Sequence, residues 1–190
     1  MRRILCMMLA LMLGVSAAAE AGVGPVRHIS AAACMAAADG MADKAGGSLG
    51  WRSEPYPGGY VLWGWDVTNV YLLADGDTLV MLGASVGWDA AERAPVKDFL
   101  GLSFVALGAV MMADGRGEEA AFEALLPLVN EQGFVQGVTG VAEGGEPYRF
   151  TLEGLDGAVL RMEEEQGLRL CLFLYAAPDL MPGAESKEDM

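Results

Sequence analysis

Residues 83–87, Gly-Ala-Ser-Val-Gly, match the G-x-S-x-G pattern that exposes a nucleophilic serine at a tight turn between a strand and a helix. An apolar run predicts the strand that must precede Ser85. The stretch up to Pro95 is short and polar, so it predicts no helix directly after the serine. The chain's one histidine, His28, lies upstream, although the general base follows the serine in that fold. We therefore interpret these small residues as the place where a strand leaves the sheet and the chain bends, and we assign no catalytic residue.

The other candidate metal ligands are His28 and the acidic turn Asp75-Gly76-Asp77. A zinc site needs several His or Cys ligands, and the chain contains a single histidine. A calcium loop needs further spaced oxygen ligands and a terminal glutamate, which do not follow Asp77. The sequence thus predicts no metal and no cofactor, and it predicts a tight turn between two strands at Asp75 to Asp77.

Aromatic side chains are concentrated in one segment, because all four tryptophans fall between Trp51 and Trp88. Alternation along a strand puts Trp63 and Trp65 on the same face. If that face is open, it is a stacking surface for a sugar ring or a peptide. If the face meets helices, it is part of the core. The candidate ligand-binding residues are Trp51, Arg52, Glu54, Tyr56, Trp63 and Trp65, of which the first four lie in an expected loop.

The beginning of the chain has the three-part layout of a secretory signal. Arg2 and Arg3 precede an apolar run over 4–13, and small residues continue to Ala19. The run is shorter than the roughly 20 residues of a membrane-spanning helix. We therefore expect cleavage after residue 19, with a cut after Ala21 nearly as favoured, a periplasmic or secreted product, and no transmembrane segment after that cleavage.

Two cysteines, Cys34 and Cys171, lie beyond this signal. In an oxidising compartment an isolated pair is most simply a disulfide, here a link between the first helix and a central strand. The alternative is a pair of buried free thiols that pack as small hydrophobic groups.

The chain is acidic, with a formal net charge of -14, and signal cleavage would remove two arginines and no acid. Nucleic acid is a poor partner because its phosphates require a basic face, and anionic membrane surfaces are disfavoured for the same reason. A protein partner and a small ligand or glycan both remain open.

The periodicity of apolar residues predicts helices and strands in alternating groups. A helix begins at the capping residue Ser30 and ends near Ala45, and strands follow over 60–66, 67–74 and 78–82. Two helices come next, over 99–112 and 118–130. The first is apolar nearly all round, and Pro127 should kink the second or bring its regular part to an early end. The second helix carries an apolar stripe at Phe122, Leu125, Leu126 and Val129. Strands over 147–152, 158–163 and 168–175 complete the order.

This order predicts a single α+β domain, an antiparallel sheet of two meander segments packed against an N-terminal helix and a central helix pair. The expected boundaries are a signal peptide at 1–19, a flexible arm at 20–27, the globular domain at 28–177 and a disordered acidic tail at 178–190. No reactive groups converge, which favours an exported, non-enzymatic binding or interaction protein of the bacterial envelope or extracellular space. The alternatives are a glycan-binding or small-ligand module around Trp63 and Trp65, and an enzyme of unfamiliar type using Glu54 and Asp66.

Overall fold

A computed structural model of the chain describes residues 28–44, 52–56, 59–63, 68–164 and 167–178, with the backbone alone in 52–56 and 59–63. The strands are β1 (Arg52–Tyr56), β2 (Gly59–Trp63), β3 (Thr68–Asp75), β4 (Thr78–Trp88), β5 (Tyr148–Leu152), β6 (Leu155–Glu164) and β7 (Gly167–Tyr175). The helices are α1 (Ala31–Lys44), α2 (Val96–Ala113), α3 (Glu118–Glu123), α4 (Leu126–Asn130) and α5 (Phe134–Ala142). The expected signal, the arm and almost all of the acidic tail lie outside the described residues.

The strands form one antiparallel sheet in the order β1-β2-β3-β4-β7-β6-β5. Each meander pairs its strands consecutively, and β7 returns across the helical connection to pair with β4, Ser85 opposite Cys171. The predicted α+β class, with two meanders, an N-terminal helix and central helices, is confirmed. The expected interior position of Cys171 is also confirmed, since β7 lies between β4 and β6.

The two faces of the sheet have different neighbours. The helix-side face packs against α2 and α5, and α1 packs on α2. Alternating residues of the central strands fill this core, among them Leu72, Leu82 and Leu172. The opposite side, here called the helix-free face, carries a second apolar cluster to which no described helix contributes. Its buried residues are Tyr71, Leu73, Val80, Met81, Cys171, Phe173 and Tyr175.

The hairpin turn between β3 and β4 caps the first helix. The Ser30 hydroxyl accepts a hydrogen bond from the Ala33 amide at 3.1 Å, as expected for a capping serine. That hydroxyl in turn donates to Asp77 Oδ2 at 2.7 Å, while Asp77 Oδ1 accepts from the Ala32 amide at 3.0 Å. These bonds to the carboxylate lower the pKa of Asp77 below its usual value of 3.8. The turn thus fixes α1 to the sheet.

The central helices differ in part from the sequence prediction. Helix α2 agrees with it and buries residues on several sides. The predicted helix over 118–130 is divided into α3 and α4, with Pro127 in the first turn of α4, because proline lacks the amide hydrogen that an unbroken helix would use there. Helix α5 was not predicted, since residues 131–146 carry several glycines that weaken the helical pattern.

Two local expectations are wrong. The predicted loop before Gly59 contains β1, paired along its length with β2. The small residues around Ser85 do not mark a strand exit, because β4 continues through them to Trp88. The outer edge of β5 is closed by a side chain that sequence did not single out: Gln132 donates to the Thr151 carbonyl at 2.7 Å and accepts from the Thr151 amide at 3.0 Å. An edge occupied in this way is less available to another strand.

Candidate functional site

Ser85 lies in the middle of β4 and is fully buried. Its hydroxyl accepts a hydrogen bond from Arg169 Nη1 at 3.2 Å, and its cross-strand neighbours are Asn69 and Cys171. The His28 ring lies beside Thr78, with Nδ1 3.2 Å from the threonine hydroxyl. Ser85 lies seven residue steps along β4 from Thr78, a distance of about 23 Å. The serine therefore has no imidazole base, and the structure supports no nucleophile elbow.

A chain of polar groups joins three strands beside Ser85. Arg169 on β7 pairs with Glu164 on β6 through two bonds, Nε to Oε1 at 2.7 Å and Nη2 to Oε2 at 3.2 Å. Its guanidinium passes over Gly87, where a Cβ atom would lie only 3.1 Å from Nη2. Glu164 thus compensates the largely buried charge of Arg169. Removing either partner of such a buried pair would leave the other charge uncompensated. These hydrogen-bonded side chains therefore stabilise the fold by linking β4, β6 and β7.

Tyr71 occupies the centre of the helix-free face. A Cβ atom at Gly83, its cross-strand partner, would lie 1.9 Å from Tyr71 Cε2, so the ring rests directly over that glycine. Phe173 meets the ring edge-on, with centroids 6.0 Å apart. The buried Tyr71 hydroxyl has no hydrogen-bond partner among the described residues. Burial, followed by the nearby Cys171 and Tyr175, raises the Tyr71 pKa well above its usual value, and Arg169 lowers it by less.

The two cysteines lie on opposite sides of the sheet. Cys34 on α1 belongs to the helix-side core, whereas Cys171 belongs to the helix-free face and donates to Met162 Sδ at 3.6 Å. Both thiols are free and buried. Burial raises the pKa of each from 9.0 to about 12. The expected disulfide is therefore wrong for this fold: a single disulfide needs Cα atoms within about 7 Å, and the sheet separates these two side chains. The two-thiol alternative is the one observed.

The predicted aromatic binding residues fall on the least described part of the chain. Trp51, Trp65 and Asp66 lie outside the described residues, and Arg52, Glu54, Tyr56 and Trp63 are described by backbone alone. The register pairs Arg52 with Trp63 and Trp63 with Tyr71. Whether the tryptophans form an open stacking surface stays a hypothesis, and so does the carboxylate pair of an enzyme.

An exposed surface on α3 and α4 was missed by the sequence prediction. Phe122 is 41% exposed and Leu126 is 54% exposed, although both belong to the apolar stripe of the predicted helix. The buried side of this segment consists instead of Ala121, Ala124, Leu125 and Leu128, a set with the i, i+3, i+4, i+7 spacing of one helical face. A second set with the same i, i+3, i+4, i+7 spacing lies on the outward side and is exposed. It consists of Glu119, Phe122, Glu123 and Leu126 and is here called the acidic-apolar surface.

The geometry of α2 explains how this surface is held. The α3 segment packs on α2, where Gly108 has no side chain. A Cβ atom at Gly108 would lie 3.8 Å from Phe122 Cε1, so one edge of the phenylalanine ring rests against α2 while the other faces water. At the far end, Lys44 on α1 forms an ion pair with Glu118. The surface is thus anchored on rigid helices and not on a loop.

The charge of this surface has one sign. From Gly117 to Tyr148 the sequence contains six glutamates and no lysine, arginine or histidine. Among the described residues, Lys44 is the cation that pairs with this segment, at Glu118; the neighbouring Arg116 pairs with Glu153 instead, at 2.7 Å. Glu119 and Glu123 are exposed and form no ion pair with a described cation. Among the described residues, the two exposed apolar side chains therefore lie beside carboxylates that no cation pairs with.

The described residues offer no metal centre and one helix of the length and apolarity of a membrane span. No group of three or more His, Cys, Asp or Glu side chains in that part of the chain is placed to hold a metal ion. One described helix, α2, is long and apolar enough to cross a membrane, and 44% of it is buried against the protein. A helix in the core of a soluble protein meets the same criteria, so α2 is weak support for a membrane location.

Comparison of the chain with known protein families, curated proteins and solved structures finds no match.

Proposed function

We propose that this chain is an exported, non-enzymatic interaction protein of the bacterial envelope or extracellular space, and that it binds another protein through the acidic-apolar surface on α3 and α4. The observation that carries the proposal is the outward position of Phe122 and Leu126, one helical turn apart. All the exposed large hydrophobic side chains among the described residues lie in one short stretch, at Phe122, Leu126 and Val135. Apolar side chains grouped on one surface, with a polar rim, are typical of binding sites.

The energetics of folding support this assignment. Phe122 and Leu126 are each about half exposed, so the fold forgoes part of the burial that is worth about 1.5 to 3 kcal/mol for a fully buried side chain of this size. The alanines of the same segment face the core instead, so the sequence retains large apolar groups where they do not help the fold. A partner that covered Phe122 and Leu126 would recover this burial. The buried polar side chains around Ser85 and Arg169, by contrast, bond to one another, and we assign them to the stability of the fold.

Site-specific photo-crosslinking tests the proposal. A photoreactive amino acid replaces Leu126 in the exported chain, and the protein is irradiated in an envelope extract of the source organism. The matched control carries the same group at Glu143, an exposed position at the end of α5. We expect a discrete protein adduct from position 126 that is absent from position 143 and is lost when Phe122→Ser is added. Equal adducts from both positions, or an adduct indifferent to Phe122→Ser, would refute the proposal.

Export is checked independently of binding. The signal pattern predicts that the purified exported protein begins at Glu20, because small residues at 17 and 19 suit a signal peptidase. The measurement is the intact mass, or the N-terminal sequence, of protein recovered from the envelope or medium. Recovery of the uncleaved chain from the cytoplasm would contradict export and would leave the α3 and α4 binding surface to be judged by the crosslinking experiment.

A further inference from the structure

We infer that the partner of the acidic-apolar surface is a basic amphipathic helix, a helical segment with lysine or arginine residues flanking an apolar stripe. This inference rests on the proposed function, because it names the chemistry that the α3 and α4 surface would select. It is carried by two features of that surface: its apolar positions have helical spacing, and its charge is wholly negative.

The apolar part of the surface fits a helix better than an extended strand. Phe122 and Leu126 are four residues apart in the αR chain of α3 and α4, so their side chains stand on neighbouring turns about 6 Å apart along the axis. Apolar side chains projecting from two turns form a ridge, and ridges pack into the groove between side-chain rows of a second helix. A strand would need an unpaired sheet edge for its backbone, and the nearby edge of β5 is occupied by Gln132.

The charged part of the surface selects a cationic partner. Glu119 and Glu123 flank the apolar pair on the same outward side, and both are exposed. Opposite charges placed across an interface accelerate association and reject partners of like charge. With Glu119 and Glu123 beside the apolar pair and no lysine, arginine or histidine in the sequence from residue 117 to residue 148, an acidic or phosphorylated partner would meet repulsion at this surface. Lysine or arginine side chains on either flank of a docked helix would meet a carboxylate instead.

Binding to designed peptides tests the inference with defined probes. The first peptide is a helix of about 16 residues, roughly 24 Å long, with leucines at i, i+3, i+4 and i+7 and lysines elsewhere. The second has the same composition in scrambled order, which destroys the apolar stripe. The third keeps the stripe and replaces each lysine with glutamate. Fluorescence anisotropy of labelled peptides against the full exported chain gives the three dissociation constants.

We expect the basic amphipathic peptide to bind at least tenfold more tightly than either control peptide. Its affinity should fall several-fold between about 50 and 500 mM salt, because salt screens exposed charge pairs. The double variant Phe122→Ser/Leu126→Ser should weaken binding at least tenfold, and Glu119→Gln/Glu123→Gln should weaken it and reduce the salt dependence. The matched control, Glu143→Gln/Glu146→Gln, removes the same charge from exposed positions after α5 and should leave binding unchanged.

The outcomes separate this inference from the proposed function. If the scrambled or acidic peptide binds as tightly as the basic amphipathic one, the inferred partner class is wrong. The proposed function survives that result if the crosslink from position 126 still depends on Phe122. If the Glu143/Glu146 variant loses as much affinity as the Glu119/Glu123 variant, binding reflects total charge and the inferred surface is refuted. Phe122 and Leu126 are partly exposed and the Phe122 ring also touches α2, so the serine variants should unfold at a modestly lower temperature. Their thermal unfolding is the control for folding, and binding is compared at a temperature where each variant is fully folded.

Discussion

Replacing Tyr71 with phenylalanine should make the protein more stable. The Tyr71 hydroxyl is buried on the helix-free face, and no described residue forms a hydrogen bond with it. A buried polar group left without a partner costs about 1 to 3 kcal/mol, because water has been removed and nothing replaces it. Tyr71→Phe removes this group and keeps the ring that covers Gly83. We therefore expect the free energy of unfolding to rise by about 1 kcal/mol or more, which corresponds to about 2 to 4 °C per kcal/mol in a domain of this size.

Urea unfolding at neutral pH, followed by tryptophan fluorescence, measures the effect. Tyr148→Phe is the matched control, because it removes the same atom from a tyrosine that is hydrogen-bonded. The Tyr148 hydroxyl donates to the Gln132 carbonyl at 2.7 Å, so its loss should cost about 1 kcal/mol. The two substitutions are chemically identical and should have opposite signs. A loss of stability in Tyr71→Phe as large as in the control would show that the Tyr71 hydroxyl has a partner, and the reasoning would be refuted.

A second substitution tests the position of the same ring. Alanine at Gly83 would bring its Cβ atom within 1.9 Å of Tyr71 Cε2, so the ring must move. Forcing an extra carbon into a packed site costs about 1 to 3 kcal/mol. The cost should shrink when Tyr71→Leu removes the ring, because contacting residues show coupled effects on stability. An equal cost of Gly83→Ala in both backgrounds would mean that the ring does not lie over this glycine.

Four further measurements test other parts of the fold. In denaturant, a thiol reagent should find Cys34 and Cys171 both free in exported protein purified without reductant, and an oxidised pair would contradict their placement on opposite faces. Burial raises the pKa of the Cys34 and Cys171 thiols in the folded protein from 9.0 to about 12. Each thiol's contribution to the free energy of unfolding is therefore complete below pH 9 and declines by about 1.4 kcal/mol per pH unit above it. A free energy of unfolding that does not change in urea titrations at alkaline pH would contradict this expectation. The pKa of Asp77 is lowered in the folded protein, so the stabilisation by its carboxylate is present above about pH 4 and is lost as the pH falls through the folded pKa. Asp77→Asn should therefore reduce the loss of stability at acid pH in the same urea titrations. An unchanged loss would contradict the role of Asp77 in capping α1. Gln132→Ala should leave the backbone edge of β5 unpaired at Thr151 and increase aggregation, measured as light scattering on storage. The control Gln136→Ala, at an exposed position, should not increase it. Equal light scattering from the two variants would show that Gln132 does not protect this edge.

The strands and most helices were predictable because their signals are local. Alternating or continuous apolar runs, tight turns and the serine cap of α1 depend on neighbouring residues only. Helix α5 was missed because glycines interrupt its pattern, and the structure compensates by packing: Tyr148 rests over Gly137, where a Cβ atom would lie 2.3 Å from the ring. The residues next to Gly137 in the sequence give no indication that Tyr148 packs over it.

The acidic-apolar surface shows why a binding site escaped prediction. Residues 118–130 contain two apolar stripes with helical spacing, one through Phe122 and Leu126 and one through Ala121 and Leu128. Hydrophobicity alone favours the first stripe. The structure buries the second, because alanine allows α3 to approach α2 closely and phenylalanine would not. The signal that could have indicated the outward stripe is the lack of any cation between residues 117 and 148.

The sequence by itself determined the α+β order of elements, the acidity of the chain and the capping serine, since each of these depends on composition or on residues close along the chain. Only the tertiary structure decided which side of the sheet each side chain faces relative to the helices. That choice separates Cys34 from Cys171, places Arg169 over Gly87 and Tyr71 over Gly83, and turns Phe122 outward. The physical reason is that strand alternation assigns residues to two faces, but the packing of distant helices decides which face becomes the helix-side core.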